Sequence, residues 1–586
     1  MDRRRVLLGL GAAAGVGAVG GAAGGLAWVQ PRRGWLVPPE DGPVAVTGSP
    51  RVVVVGGGLA GISAAAELAS RGCRVTLVEQ APHLGGKLGG WDVTGTAGAF
   101  PMEHGFHGFF AQYYNLWSLL EAAGTDPADF VAQASYPVLL PDGPPERFTN
   151  TTPVWPLNLA SVIAGSHRLH PADFREADGL LELMRYRGQE TYDAFDDVDF
   201  AAWIAARAIP QAMVDVVLRP FGDATLNRIE RLSAAEAIRF FHFYFLGNPE
   251  GLAFRALGRD CMTAVIDPLR RHLERLGVEI RTSAPVSRLV LDGDRVAGVE
   301  VGGGDVPVLL AMVDGAEVAF DARCTHMGCV VQQVPDGFRC PCHGGRFDRA
   351  GNPTGGPPTI PLRRLMSPTS TVLDCDAVVL ACDVRGVRAI VDASAVEPAF
   401  AARVGALGES EPYAVVRWWL DRPVSPERSA FYTTTGFRYT DSLAVYSAFQ
   451  EPFAAWASST GGSVVETHAY AIAAADRADA DTVAARMRDE LSAIFPELRD
   501  AGTVHVEAQY QSNFTRWAPG DDARRPGTAT PHPNLFLAGD HVKIDAPTAL
   551  MEAAVMSGRL AANAILRQHG AAPVPIPMVS PTGVLA

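Results

Sequence analysis

Arg51-Val-Val-Val-Val55-Gly56-Gly-Gly58-Leu-Ala-Gly61 is the stretch from which the fold of this chain is read. Four consecutive valines make a short β-branched run, the mark of a strand covered on both faces, as in a parallel sheet. The run enters a Gly-x-Gly-x-x-Gly turn, and a helix-like segment, Ile62–Ser70, follows. A second apolar run, Arg74–Val78, ends in Glu79. Strand, glycine turn, helix, strand and acid in that order form a dinucleotide-binding unit. Gly56 makes the turn, Gly58 lets the main chain approach a pyrophosphate, and Gly61 lets helix and strand pack closely. The helix N-terminus faces the phosphates, and Glu79 is placed to accept from ribose hydroxyls.

Further segments extend the pattern. Gly85-Gly86-Lys87 follows Glu79 closely. Near the C-terminus, Asn534-Leu-Phe-Leu-Ala538 reads as another buried strand, ending in Gly539-Asp540. A helix bearing Met551-Glu552 and Ser557-Gly558 comes next. A small residue and an acid at a strand end suit the ribityl and phosphate groups of a flavin. The competing reading makes Asp540 an ordinary helix cap. On these residues alone, FAD and NAD both stay open.

The bulk properties set bounds. With 586 residues, 48% of them hydrophobic and 19% charged, the chain has material for a large core. About two or three domains are expected. A net charge of −14 excludes nucleic acid as the expected partner, because phosphate binding needs a lysine and arginine surplus. Of the eight cysteines, Cys73, Cys261, Cys375 and Cys382 stand scattered in apolar or helical contexts and are expected to be buried small hydrophobes.

Glu103-His-Gly-Phe-His-Gly108, with Gly90-Trp91, Tyr113-Tyr114-Asn115 and Asn248-Pro249, adds to the glycine turn, Glu79, Gly86-Lys87 and the Gly539-to-Gly558 tail. Together they resemble the FAD-dependent amine oxidase and carotenoid desaturase superfamily. The Glu103–Gly108 segment is most similar to the desaturase/methyltransferases that make aromatic carotenoid end groups. The resemblance covers nearly the whole chain outside the N-terminus and residues 303–371. It implies FAD, held by Gly56, Gly58, Gly61, Glu79, Gly86, Lys87, Gly539, Asp540 and Met551. It also implies a split architecture. An α/β FAD-binding Rossmann-type domain gathers residues 48–150, 255–302, 372–395 and 530–570, and an α+β substrate domain gathers 151–254 and 396–529. Val278–Arg281, Ser287–Leu291 and Val378–Ala381 read as strands, and Ala264–Leu276 as a helix.

Residues 303–371 interrupt this pattern. Val306–Val313 leads to Asp314-Gly315, a hairpin signal. Then come Cys324-Thr-His326-Met-Gly-Cys329 and Cys340-Pro-Cys342-His343, and a Pro/Gly-rich end. Two thiolates and two imidazoles are the ligand inventory of a Rieske [2Fe–2S] centre. The insert resembles a small all-β Rieske domain, which implies Cys324, His326, Cys340 and His343 as iron ligands and a Cys329–Cys342 disulfide between the loops. Zinc is the alternative metal, but its sites usually pair cysteines as C-x₂₋₄-C. In high-potential relatives a serine and a tyrosine donate hydrogen bonds to the cluster and its thiolate. Gly345 and Phe347 stand at those positions here, so a lower potential is expected.

At the N-terminus, Arg3-Arg4-Arg5 precedes an apolar Gly/Ala-rich run from Val6 to Val29. Residues 1–34 are therefore expected to be an export signal of twin-arginine type or a membrane anchor, with the protein facing outside the cytoplasm. Residues 571–586 read as a tail.

The function expected from these features is FAD-dependent desaturation of a carotenoid or other polyisoprenoid. Hydride passes to the flavin, and the Rieske centre relays electrons to a quinone or a redox protein. Two other readings stay open: an amine oxidase acting on a polar substrate, and a flavin/Rieske electron-transfer protein. Glu103-His104-x-x-His107 also contains the two histidines and carboxylate of a mononuclear iron site, which would make the chain an oxygenase. The desaturase resemblance already accounts for that segment. No acid or base is assigned; Glu552, His104 and His107 are candidates by family position only. His167-x-x-His170 is expected at the surface, and the aromatic run Phe240–Phe245 in a core or along a tunnel.

Overall fold

The computed structural model describes residues 33–133, 135–149, 165–170, 178–248, 254–302, 308–313, 316–326, 330–334, 336–340, 344–365 and 370–586. All but the last two residues of the expected N-terminal signal, together with Cys329, Cys342 and His343, lie outside the described residues.

The centre is a five-stranded parallel sheet. Its elements are β1 (Arg51–Val55), α1 (Leu59–Ser70), β2 (Arg74–Val78), β3 (Glu279–Arg281), β4 (Ala377–Leu380), β5 (Leu535–Leu537) and α2 (Leu550–Gln568). The strand order is β3-β2-β1-β4-β5, with every neighbouring pair parallel. This is the doubly wound order that puts a cleft at the carboxyl ends of β1 and β4. Both faces are covered, as a parallel sheet requires. Val52 and Val54 pack into one core with α1 and α2, while Val53 and Val55 pack into another with Val299, Val384 and Val387. The valine run thus divides its side chains between two cores, by the period of two that strands impose.

Helices α1 and α2 cross at close range because Gly558 lacks a side chain. A Cβ there would lie 2.3 Å from the Ala60 carbonyl oxygen. Beside it, the Ser63 hydroxyl donates to the Val555 carbonyl at 3.0 Å.

A second sheet has seven strands, in the order Thr503–Gln511, Tyr413–Leu420, Ser463–Ala469, Ser442–Val445, Phe431–Thr434, Ser135–Leu139 and Glu146–Thr149. Its outer face is apolar: Val416, Trp418, Leu420, Leu443, Val445 and Val465 pack against the helix Ala480–Ile494. The inner face mixes apolar residues such as Trp419 and Val464 with buried polar ones such as Arg417, Glu466 and His468.

The Rieske-like insert grows from a hairpin. Strands Arg295–Gly302 and Ser370–Asp374 pair antiparallel, and Gly302 lies opposite Ser370. The residues between fold as two small antiparallel sheets. Val308–Val313 pairs with Ala316–Asp321, and the expected Asp314-Gly315 turn falls outside the described residues. Phe320, Phe338, Phe347, Cys324 and Cys340 share the core between the sheets.

Some expected elements differ in detail. The helix expected over Ala264–Leu276 starts as a π-helical turn, Met262–Ile266, before its α-helical part, Asp267–Arg275. Pro268 lies at the junction, where it has no N–H to give the carbonyl four residues back in the preceding turn. The aromatic run divides between cores: Phe240, Phe243 and Tyr244 join one, and Phe241 joins the other. Cys382 is half-buried, unlike Cys73, Cys261 and Cys375. His167 and His170 are exposed. Among the described residues, no helix is long and apolar enough to cross a membrane.

A Gly558→Val substitution drives a branched side chain into the α1 backbone. Overpacking of this kind costs about 1–3 kcal/mol. The urea midpoint is expected to fall accordingly; an unchanged midpoint would show that the helix crossing is not tight.

Candidate functional site

The glycine turn after β1 is shaped by what surrounds it. Gly56 has φ +109°, and a Cβ there would lie 2.6 Å from the Ala381 carbonyl oxygen. A Cβ on Gly61 would lie 1.9 Å from the Gly56 carbonyl oxygen. Gly58 differs: a Cβ would meet nothing nearer than Gly86 Cα, at 3.9 Å. Space is therefore left in front of Gly58 and the first turn of α1, where a pyrophosphate fits. Glu79 holds the turn in place. Its Oε2 accepts from the Gly57 N–H at 2.6 Å and its Oε1 from the Ala81 N–H at 2.7 Å. Each oxygen keeps a second lone pair for a ribose hydroxyl.

Gly85 pairs with Gly58 in an isolated parallel bridge, which brings Gly86 and Lys87 beside the cleft. Lys87 Nζ stands 3.4 Å from Asp540 Oδ2 and 4.7 Å from the centre of the Phe514 ring. Asp540 also accepts from the Thr515 hydroxyl at 2.9 Å. Burial by itself would raise the Asp540 carboxyl, but the Lys87 charge prevails and holds it below its ordinary value. Asp540 is not a helix cap, since α2 begins ten residues further on with Ala549 at its N-cap. The loop is instead pinned by Arg525, which donates to the Asp540, His541 and Val542 carbonyls and pairs with buried Glu236 at 2.7 Å. Gly539 donates its N–H to the Ser557 hydroxyl at 2.8 Å, and half-buried Met551 lies in the first turn of α2. The residues expected to hold FAD thus converge on one cleft, and their donor set and open face fit a dinucleotide.

Glu103–Gly108 lies across the inner face of the seven-stranded sheet. Gln509 donates to the Glu103 carbonyl at 2.6 Å, Gln511 bonds His104 Nδ1 at 3.3 Å, and Arg417 reaches the Pro101 carbonyl at 3.3 Å. This face carries polar residues that the sequence reading missed: Arg417, Glu466, His468, Ser442, Gln509 and Gln511 are all buried. Arg417 and Glu466 form an ion pair of 2.7 Å with no exposure on either side chain. Burial alone would raise the Glu466 carboxyl, but Arg417 and His468 hold it well below the usual carboxylate range. Tyr413–Leu420 is apolar apart from Arg417 and the Tyr413 hydroxyl, and the structure buries the strand on both faces.

The proposed iron set does not assemble. His107 Nδ1 is 4.0 Å from Glu103 Oε2, whereas His104 faces Gln511 and packs edge-on to Trp91. Among the described residues, no three His, Cys, Asp or Glu side chains converge to hold a metal there. Burial pushes Glu103 up to about 7, and His104 and His107 down to about 3 and about 4. Glu552 is occupied elsewhere. Its carboxylate accepts from the Asn115 and Leu116 N–H groups at 2.9 and 3.0 Å, capping the helix Tyr114–Ala123 from outside. Its carboxylate is thus engaged in holding that helix.

In the insert, Cys324 and Cys340 are buried in the core between the sheets, and His326 is exposed at the rim. The Cys340 N–H donates to the Gly345 carbonyl at 2.7 Å, closing the second ligand loop. Two buried thiols and an adjacent imidazole on paired loops fit the iron ligand set as far as it is described. Gly345 is locked by packing: a Cβ would lie 2.6 Å from Pro358 Cγ and 3.3 Å from Cys340 Cβ. A serine donor has no room there unless Pro358 moves. Phe347 is 2% exposed and lies opposite Phe338 across the strands.

Comparison with known proteins agrees with this geometry. The flavin containing amine oxidoreductase family matches residues 59–322 and 363–566, and the Rieske [2Fe-2S] domain matches 283–366. A carotenoid phi-ring synthase of Chlorobaculum tepidum is 43% identical, with 98% of each chain covered. One of Streptomyces griseus is 33% identical over 92% of each. A zeta-carotene desaturase of Synechocystis is 25% identical over 88% of this chain and 97% of its own. Among solved structures, cyclohexylamine oxidase from Brevibacterium oxydans superposes with a TM-score of 0.57 at 14% identity, covering 89% of this chain and 99% of that one. That likeness shows the fold.

Two measurements test the site. Phe347→Tyr restores a donor near the cluster and is expected to raise its midpoint by about 60 mV, the one-electron equivalent of about 1.4 kcal/mol; an unmoved midpoint removes the hydrogen-bond explanation. His104 is held neutral by burial, so the stability this gives is complete above its unfolded value of 6.5 and is lost as pH falls toward about 3. A His104→Gln protein lacks that dependence. Its stability relative to wild type should rise as pH falls from 6.5 to 4, by at most roughly 1.4 kcal/mol per unit. Parallel pH curves would contradict burial of His104.

Proposed function

Since this chain belongs to the flavin containing amine oxidoreductase family and carries a Rieske [2Fe-2S] domain, we propose that it is a carotenoid-oxidising enzyme acting on an end ring. The observation that carries the reading is the full-length likeness, insert included, to two carotenoid phi-ring synthases. Bound FAD supplies the acceptor for a hydride from an allylic C–H. The chain's own residues position the partners. Gly58 and the first turn of α1 would hold the pyrophosphate, Lys87 and Asp540 stand beside them at the cleft and would hold other polar parts of the cofactor, and Phe106 offers an apolar wall. Phe106 stacks on Phe431 at 4.5 Å and meets Phe254 and Phe449 edge-on. A wall of aromatic rings suits a polyene. Loss of a proton from the resulting cation would complete one desaturation; an aromatic ring would need two such two-electron oxidations of the same end ring, with a methyl shift at one of the cations.

The insert serves as an electron relay in this reading, a one-electron outlet toward a quinone or redox protein. What supports it is its docking. Arg385 follows β4 by five residues, and β4 ends beside Gly56. Its Nη1 donates to Gln332 Oε1 of the cluster-bearing sheet at 2.9 Å, while its Nε pairs with Glu409 at 2.5 Å. The basic and apolar N-terminal segment supports an exported or membrane-anchored enzyme, a setting that gives access to a lipid substrate.

Expression in a carotenoid-producing host is expected to yield a more oxidised pigment, read by chromatography and mass. Unchanged pigments together with peroxide formed from amines would establish the amine-oxidase reading instead. Cys340→Ser is expected to leave bleaching of the flavin by substrate intact and to reduce anaerobic turnover with a quinone at least tenfold; full turnover would remove the relay.

A further inference from the structure

The inner face of the seven-stranded sheet holds an aligned chain of hydrogen bonds. Tyr470 Oη and Ser442 Oγ are 2.7 Å apart, Ser442 Oγ and His468 Nδ1 2.8 Å, and His468 Nε2 and Glu466 Oε1 2.8 Å. The far end is fixed by Arg417, whose Nε and Nη2 hold Glu466 Oε2 at 2.8 and 2.7 Å.

The direction of every proton follows from that end. An ionised carboxylate held by a guanidinium only accepts. His468 Nε2 therefore carries the proton toward Glu466, because that 2.8 Å bond to an ionised carboxylate outweighs the long 3.4 Å bond Nε2 would otherwise accept from the Phe106 N–H. With Nε2 protonated, Nδ1 of the neutral ring accepts, so the Ser442 O–H donates to it. Ser442 then accepts, and the Tyr470 O–H donates to Ser442. Each donor points inward, from half-buried Tyr470 to the fully buried Glu466.

Tyr470 lies on the cofactor side. It packs with Tyr413, Val415, Leu226 and Phe514, and Phe514 is the ring under Lys87 Nζ. His468 stands beside the loop over the cleft, since a Cβ on Gly105 would lie 3.6 Å from its Cδ2. The array has little reason to exist for stability alone. A buried ion pair with its dependants is commonly no more stabilising than apolar residues of the same volume.

We propose that Tyr470, Ser442 and His468 form the path that removes the substrate proton, with Glu466 and Arg417 as positioning residues. The inference rests on the carotenoid reading above. After hydride departs from one carbon, the C–H bond on the neighbouring carbon breaks and its electron pair becomes the new double bond. The proton bonds to the Tyr470 oxygen, the Tyr470 proton moves to Ser442, and the Ser442 proton moves to His468 Nδ1. The imidazolium so formed faces the Glu466 carboxylate, as in other histidine–carboxylate pairs. No further oxidant is consumed. The path resets in reverse when product leaves and water reaches Tyr470.

The test uses holoenzyme with Tyr470→Phe and Ser442→Ala, each of which deletes one hydroxyl. In anaerobic single turnovers, flavin bleaching should stay within about twofold of wild type while product appears at least about tenfold more slowly. ¹⁵N spectra of histidine-labelled wild-type holoenzyme should show His468 protonated at Nε2. Product formation within twofold of wild type in both variants overturns the path, as does an Nδ1-protonated His468. A slowing of bleaching and product in step also overturns it, because that is the effect of a structural role. If wild type itself oxidises no carotenoid, the functional reading fails and not the path alone; if wild type is active and both variants match it, only the path fails.

Discussion

A parallel sheet must be covered on both faces, and that constraint organises the molecule. β1 gives Val52 and Val54 to one core and Val53 and Val55 to another, so neither face of the sheet can be left to water. The strands beside β1 come from residues 74–78 and 377–380, and the outer two from 279–281 and 535–537. Every other segment leaves the sheet and returns to it. The cleft at the carboxyl ends of β1 and β4 is where these departures meet, and the glycine turn, Lys87 and Asp540 collect there as a result. Close approach replaces side chains at the tightest points: Gly61 against Gly56, and Gly558 against Ala60.

The second sheet obeys a different rule. Its outer face is apolar and helix-covered, whereas its inner face buries Arg417, Glu466, His468 and Ser442. Taking charges out of water costs several kcal/mol per ion before any pairing is counted. The arrangement persists because every member is bonded to the next, from Arg417 through to Tyr470. A partly bonded network would be worse than an apolar face. Selection for chemistry at this face explains the polar stripe more simply than selection for stability.

Legibility in the sequence followed distance along the chain. The glycine turn with Glu79, and the two cysteine–histidine loops, could be read because each motif is local and each residue has one geometric task. Strand and helix positions near them came out within a few residues, Leu535–Leu537 among them. The role of Glu552 could not be read from the sequence, because nothing local says that its carboxylate caps a helix more than four hundred residues earlier. The array on the second sheet was invisible for the same reason: Arg417, Ser442 and His468 become neighbours only through strand register. Gly345 could be recognised as a missing donor, but only packing shows that Pro358 occupies the space a serine would need.

Gly302 and Ser370 face one another across a strand pair, so the iron module enters and leaves the flavoprotein one strand spacing apart, about 5 Å. Between them the parent fold needs nothing longer than a hairpin turn. Closing the loop costs little more at this length than at a few residues, since the entropy grows only with the logarithm of length. An oxidoreductase of this fold can therefore acquire or lose a metal centre in one genetic step, with both termini and the entire nucleotide cleft left in place. In such a chain, the possession of a metal centre is a property of one hairpin tip, inherited separately from the nucleotide cleft.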